Sequence, residues 1–167
     1  AYGFAAGLDL SSYQRYLRSA NDFDHRWERL ASHQPALTVF WYRQHQTYLQ
    51  PSSFLAGPGV PANGLVTPTD PPLTAQGMVR IALDANGRLE SLDALPSLTL
   101  SHTAAGQRVN WSGLLKAAGL DEARFTQTTP EAFIPLNQNA RMAWTGTYEE
   151  GRPDTITVEA ATLDGRP

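Results

Sequence analysis

The chain has 167 residues, of which 41% are hydrophobic and 17% charged, with a net charge of −3 and no cysteine. That is enough apolar material for one domain or two small ones. It excludes disulfide staples and thiolate metal sites, and it lacks the concentrated basic face that nucleic-acid binding needs.

Taken in chain order, residues 2–5 are short and apolar and read as a first strand. From Ser11 the spacing turns helical: Tyr13, Tyr16 and Leu17 share a face, with Ser11 or Ser12 as cap. Asp22 caps a second helix in which Phe23, Trp27 and Leu30 stand at i, i+4 and i+7, and Pro35 stops it. Residues 37–45 form a strand with Leu37, Val39 and Trp41 on one side and Phe40 and Tyr42 on the other. Apolar residues on both faces predict a central strand covered on each side, with Trp41 buried. Residues 51–77 hold half of the twelve prolines, with glycines between them, and read as a long extended connector with a short strand at 65–67.

A hairpin follows. Residues 78–83 and 89–94 pair across Asp84-Ala85-Asn86-Gly87, with Gly87 supplying the positive φ the turn wants. Asn110 caps a helix carrying Trp111, Leu114, Leu115 and Ala118 on one face, and Gly119 ends it in the left-handed conformation. A short turn at 121–125 leads to two more strands, residues 141–148 and 155–162, joined by the turn Glu149-Glu150-Gly151-Arg152-Pro153. Leu83-Asp84-Ala85-Asn86-Gly87-Arg88 is echoed by Leu163-Asp164-Gly165-Arg166, a weak sign of a repeated helix-plus-hairpin unit. The sequence starts at Ala1 and stops on what reads as a turn with no returning strand, so a piece of a longer protein is expected, continuing into another strand.

Chemistry-bearing patterns are sparse. Asp22, Asp24 and His25 are the one acidic–histidine cluster, better explained by acidic residues at a helix N-terminus than by a metal site, which needs three or four converging ligands. Gly57-Pro58-Gly59 lacks the third glycine, the preceding strand and the Gly-Lys-Ser/Thr of phosphate loops. No Gly-x-Ser-x-Gly elbow is present. Glu149-Glu150 reads as a solvated turn. The remaining candidates are aromatics beside arginines: Trp41, Tyr42, Arg43, Arg141, Trp144 and Tyr148. Large side chains with few rotors make good binding surfaces; the competing reading is that they are core.

A series of segments occurs in one order: Ala1-Tyr2-Gly3-Phe4, Trp27-Glu28-Arg29-Leu30, Phe40-Trp41-Tyr42-Arg43-Gln44, Asp70-Pro71-Pro72, Gly77-Met78-Val79, Leu83-Asp84 with Gly87-Arg88-Leu89, Ala117-Ala118-Gly119-Leu120-Asp121, Ala143-Trp144-Thr145-Gly146-Thr147-Tyr148, Val158-Glu159-Ala160-Ala161 and Gly165-Arg166-Pro167. The series resembles the soluble, non-catalytic region of large bacterial membrane-bound serine/threonine protein kinases. That family commonly has Ser-Pro after its Tyr-Arg-Gln element, where His45-Gln46-Thr47 stands here. The resemblance implies a sensor or regulatory region in a membrane-anchored parent. None of the kinase signatures stands in this sequence, so no phosphoryl transfer or ATP binding is expected of it.

The expected fold is α+β: an antiparallel sheet with two N-terminal helices, one middle helix and a long Pro/Gly-rich connector, or two weakly repeated helix-plus-hairpin units loosely resembling PepSY modules. The expected organisation is one excised domain, residues 1–167, with 1–96 and 107–167 as candidate subunits. The expected function is an extracytoplasmic sensor binding a small molecule, peptide or envelope component. The alternatives are a structural, dimerisation or protein-interaction module and a hydrolase with an unrecognised site. No cofactor, no metal and no nucleic-acid partner is expected, and a homodimer is within the expectation.

Overall fold

A computed structural model describes residues 1–7, 14–15, 18, 31–51, 64–95, 109–131, 140–148 and 155–162. The chain divides into two compact units, Ala1–Leu95 and Pro96–Pro167. Among the described residues it is mostly β: seven strands in two antiparallel sheets, and one α-helix of seven residues.

This corrects the α+β expectation of a sheet with two N-terminal helices and a middle helix. Of the N-terminal pair only Gln14, Arg15 and Arg18 are described, with helical backbone; the rest of both expected helices lies outside the described residues. The middle helix is present. The physical reason for the difference is the pattern of the described chain. Alternation with period two, carried by aromatic, β-branched and threonine residues, recurs in segment after segment. Among the described residues the 3.6-residue pattern is sustained around residues 111–118.

The first unit is a four-stranded meander of order β1–β2–β3–β4, with β1 at Tyr2–Ala6, β2 at Thr38–Gln44, β3 at Val79–Leu83 and β4 at Leu89–Ala94. The expected hairpin is β3–β4. Its turn is held by the Asp84 carboxylate, whose Oδ1 accepts from the backbone N–H groups of Asn86 and Arg88 at 2.8 Å each. Gly87 sits at φ +76°, where a side chain would be strained. A bulge between Ala82 and Leu83 shifts the register near the turn. Residues 65–67 do not form the expected strand. Instead the Thr67 hydroxyl accepts from the Asp70 N–H at 2.9 Å and closes a turn, and the Asp70–Pro71 peptide is cis.

The second unit has the order β5–β6–β7, with β5 at Phe125–Thr128, β6 at Ala140–Thr147 and β7 at Thr155–Thr162. Its helix, α1, runs Trp111–Ala117. The Asn110 side chain caps it by accepting from the Gly113 N–H at 2.9 Å. Gly119, at φ +68°, follows the end of the helix as expected. A 3-10 turn at Glu122–Arg124 then leads into β5, a strand the sequence reading did not foresee. Leu115, Leu120 and Trp144 are the centre of a core completed by Trp111, Phe125, Met142, Ile156 and Val158. The Trp111 and Trp144 rings meet edge to face, 5.8 Å between centroids, an arrangement aromatic pairs favour.

Candidate functional site

The two faces of the first sheet differ sharply in chemistry, and register determines which residue goes where. Gly3 pairs with Trp41, Trp41 with Ala82, Arg43 with Arg80, and Arg80 with Asp93. These residues share one face. Trp41 and Arg43 are buried there, the Trp41 indole against Gly3 and Arg43 beneath the chain around residues 67–71.

Arg43 is only 1% exposed. Its guanidinium donates from Nη1 to the Thr67 carbonyl at 3.0 Å and from Nη2 to the Pro71 carbonyl. Its Nε is buried with no partner among the described residues. Burial first, and the Arg80 charge second, push its pKa down; Asp70 opposes them. The group remains a cation at any ordinary pH. Arg80 reaches Asp93 through Nε and Nη2, at 2.9 and 2.7 Å. Arg43 and the strand thus clamp the proline-rich connector by its carbonyls. This is a fastening between the sheet and residues 67–71, with both terminal guanidinium nitrogens committed to main chain.

The other face is apolar. Tyr2 pairs with Tyr42 and Phe4 with Phe40. Phe40 pairs with Leu83, Tyr42 with Ile81, and Ile81 with Leu92. The Tyr2 and Phe4 rings lie 6.2 and 5.6 Å from the Phe40 ring, centroid to centroid. These aromatics brace one another yet stay open to solvent. Tyr2 is 73% exposed, Phe4 76%, Tyr42 37% and Leu92 39%. The Tyr42 hydroxyl donates to the Gln44 side-chain oxygen at 2.8 Å, which fixes the ring. From β1 across β2 and β3, no charged side chain stands on this face.

The strand at 37–45 was expected to be covered on both sides. Trp41 is covered; Phe40 and Tyr42, pointing the opposite way, belong to the open face. The six sequence-derived candidates therefore separate. Trp41 and Arg43 share the clamped face of the first unit, and Tyr42 lies on its apolar face. In the second unit Trp144 is buried in the core and Tyr148 packs against that core. Arg141 is on the opposite side of β6, 3.5 Å from Glu159. Tyr2, Phe4 and Phe40 were not among the candidates. The alternation Tyr2-Gly3-Phe4-Ala5 was the available signal, since it places both rings on one side of a strand.

Two carboxyl groups near the hairpin turn are shifted. Burial alone would raise the Asp84 pKa, but hydrogen bonds from Arg88 and Asn86 and the charge of Arg88 outweigh it, and the net shift is downward. Arg88 also donates to the Ser32 carbonyl at 2.9 Å, so the turn is tied to the chain before β2. Glu90 is pushed up, by burial first and by Asp84 second, against Arg88. Among the described residues no three His, Asp or Glu side chains converge on a common point. The cluster Asp22, Asp24 and His25 and the segment Gly57-Pro58-Gly59 lie outside the described residues, as do Glu149 and Glu150. Among the described residues no helix is long and apolar enough to cross a membrane.

No protein-family model matches the chain, and no significant similarity to a curated protein or a solved structure is found.

Proposed function

We propose that this chain is a non-catalytic protein-interaction module, the regulatory extracytoplasmic region of a membrane-anchored bacterial serine/threonine protein kinase. One observation carries the interaction reading: the open aromatic and aliphatic face of the first sheet, with Tyr2 and Phe4 about three-quarters exposed. Large solvent-facing aromatics in a contiguous, uncharged patch mark interaction surfaces on soluble domains. The face is a flat sheet surface, which suits a protein or peptide component of the envelope better than a small molecule, whose sites are concave. The kinase assignment rests on the ordered series of segments that resembles that family.

Two experiments test the two parts separately. The gene should encode a kinase domain upstream of this region and a membrane segment between them; a gene with neither overturns the kinase assignment. A dye that reports apolar surface should bind the folded chain and lose most of its signal in Phe4→Glu and Tyr2→Glu. Unchanged dye binding in both folded variants overturns the interaction face.

A further inference from the structure

We infer that Thr47 is a reactive hydroxyl, an acceptor for acyl groups from activated esters, with His45 as its base and the Gln76 carbonyl orienting that base. The inference stands apart from the aromatic face and does not depend on it. His45 follows the end of β2, where Gln44 pairs with Val79. Its Nε2 lies 3.1 Å from the Gln76 carbonyl oxygen, and its Nδ1 lies 2.9 Å from the Thr47 hydroxyl. A carbonyl only accepts, so Nε2 carries the proton. Nδ1 of the neutral ring then offers a lone pair, and the Thr47 hydroxyl donates to it. A hydroxyl, an imidazole and an acceptor on the far nitrogen thus stand in the order that nucleophilic acyl transfer uses.

The parts are held in place by their own surroundings. The Gly77 N–H, next after the acceptor, donates to the Leu95 carbonyl at 2.6 Å, and the Met78 N–H donates to the Ala75 carbonyl at 3.2 Å. The Gln46 side chain lies against Gly77, which keeps residues 45–47 on the segment that carries the acceptor. The β-branch of threonine restricts χ1, so the hydroxyl has few positions to explore. Thr47 is exposed, and an acyl donor can reach it. In the step, Thr47 Oγ1 attacks the acyl carbon of the ester. The bond from Oγ1 to that carbon forms and the bond from the carbon to the leaving oxygen breaks. The hydroxyl proton passes to Nδ1 and from there to the leaving oxygen, giving a threonine ester and a free alcohol or phenol. A neutral carbonyl gives the imidazolium no counter-charge, so the gain belongs at the lower end of general base catalysis, about 10²-fold. One acylation per chain is all that is inferred, which leaves the module non-catalytic.

The test is p-nitrophenyl acetate added to the folded chain, with peptide mass mapping to follow acetylation at each site over time. Thr47 should be acetylated at least about tenfold faster than Thr126, an exposed threonine on β5. His45→Gln should bring Thr47 down to the Thr126 rate, Thr47→Ser should keep the label at this position, and Thr126→Ala should leave Thr47 labelling unchanged. The rate at Thr47 should also fall in heavy water, because a proton moves in the step. Circular dichroism confirms that each variant is folded. A hydrogen bond that merely closed the bend would leave Thr47 no more reactive than Thr126, and that result overturns the inference. Equal labelling of Thr47 with and without the His45 imidazole overturns it as well. If His45→Gln does not fold, the heavy-water rate of the unaltered chain decides, and an unchanged rate there overturns the role of the base.

Discussion

The two sheets of this chain solve the same problem in opposite ways. In the second unit the apolar side of the sheet is closed by α1 and the turn after it, so Leu115, Leu120 and Trp144 form a dry centre. In the first unit the closed side is the polar one. There Trp41 shares its face with two arginines, and the connector is fastened by guanidinium–carbonyl hydrogen bonds. The apolar side carries its aromatics in the open. A sheet with one apolar face must bury it against something. The second unit satisfies this within its described residues, and the first presents the face outward.

The sharpest test of that contrast is a pair of tryptophans. Trp144→Ala and Trp41→Ala each remove a buried indole, and such truncations cost about 3–5 kcal/mol. Trp144 is ringed by apolar neighbours and should fall at the upper end. Trp41 packs against Gly3 on a face it shares with Arg43 and Arg80, and should fall at the lower end. Denaturant midpoints of the two variants measure both. Equal losses would mean that the polar face of the first sheet is packed around Trp41 as tightly as the apolar face of the second is around Trp144. An unchanged midpoint for Trp41→Ala would make its face a surface.

Next in size is Arg43→Met. It removes the two donors that hold the Thr67 and Pro71 carbonyls and leaves both unpaired beneath the connector. Unmet buried groups cost about 1–3 kcal/mol. It also relieves a buried charge that faces Arg80, which moderates the loss. The expected outcome is a lower midpoint with faster amide exchange around residues 67–71. A stabilised variant would show that the cost of burying the cation exceeds the value of the clamp.

How much of this could be read beforehand depends on whether the signal is local. The β3–β4 hairpin was legible because alternation and turn chemistry agree over a few residues. So was α1, because Asn110, an apolar face and Gly119 stand at helical spacing. Which strands share a sheet was not legible: alternation tells which side of a strand a residue takes, not which strands pair. That is why Trp41, Arg43, Trp144 and Tyr148 look like one aromatic–arginine set in the sequence and fall into two units in the structure. β5 escaped notice because Phe125-Thr126-Gln127-Thr128 is short and has one apolar residue. The clamp on the connector was invisible for another reason. Its acceptors are backbone carbonyls, which every residue has.

A smaller effect follows from the hairpin turn. Asp84 has a depressed folded-state pKa, so its contribution is present above the ordinary carboxylate pKa of about 3.9 and is lost as pH falls through the folded value. Acid should therefore weaken the first unit as pH drops below about 4. Asp84→Asn should remove that part of the pH dependence, at a cost of about 1.5 kcal/mol near neutrality for the lost charge-assisted bonds. Glu90, whose pKa is raised by burial and by Asp84, works in the opposite direction. A chain whose acid profile is the same with and without Asp84 would place the sensitivity elsewhere.

The smallest expected change in stability belongs to the most conspicuous side chain. Phe4 is an aromatic on a strand, and propensity alone would make it core. Its exposure makes its loss nearly free in the isolated chain: Phe4→Ser should move stability by no more than about 0.5 kcal/mol, the usual range for surface positions. It gives up one edge contact with Phe40 and some β propensity, and a polar serine replaces apolar area that water already touched. The measurement must be made at concentrations where the chain is monomeric, since any association through this face adds a concentration-dependent term. A loss above about 2 kcal/mol, in the range of core truncations, would mean that the ring is packed within the monomer. The contrast between a closed second sheet and an open first one would then disappear. A negligible loss would show that this aromatic contributes almost nothing to folding its own chain, and would leave the open face of the first sheet as the feature that still needs a partner.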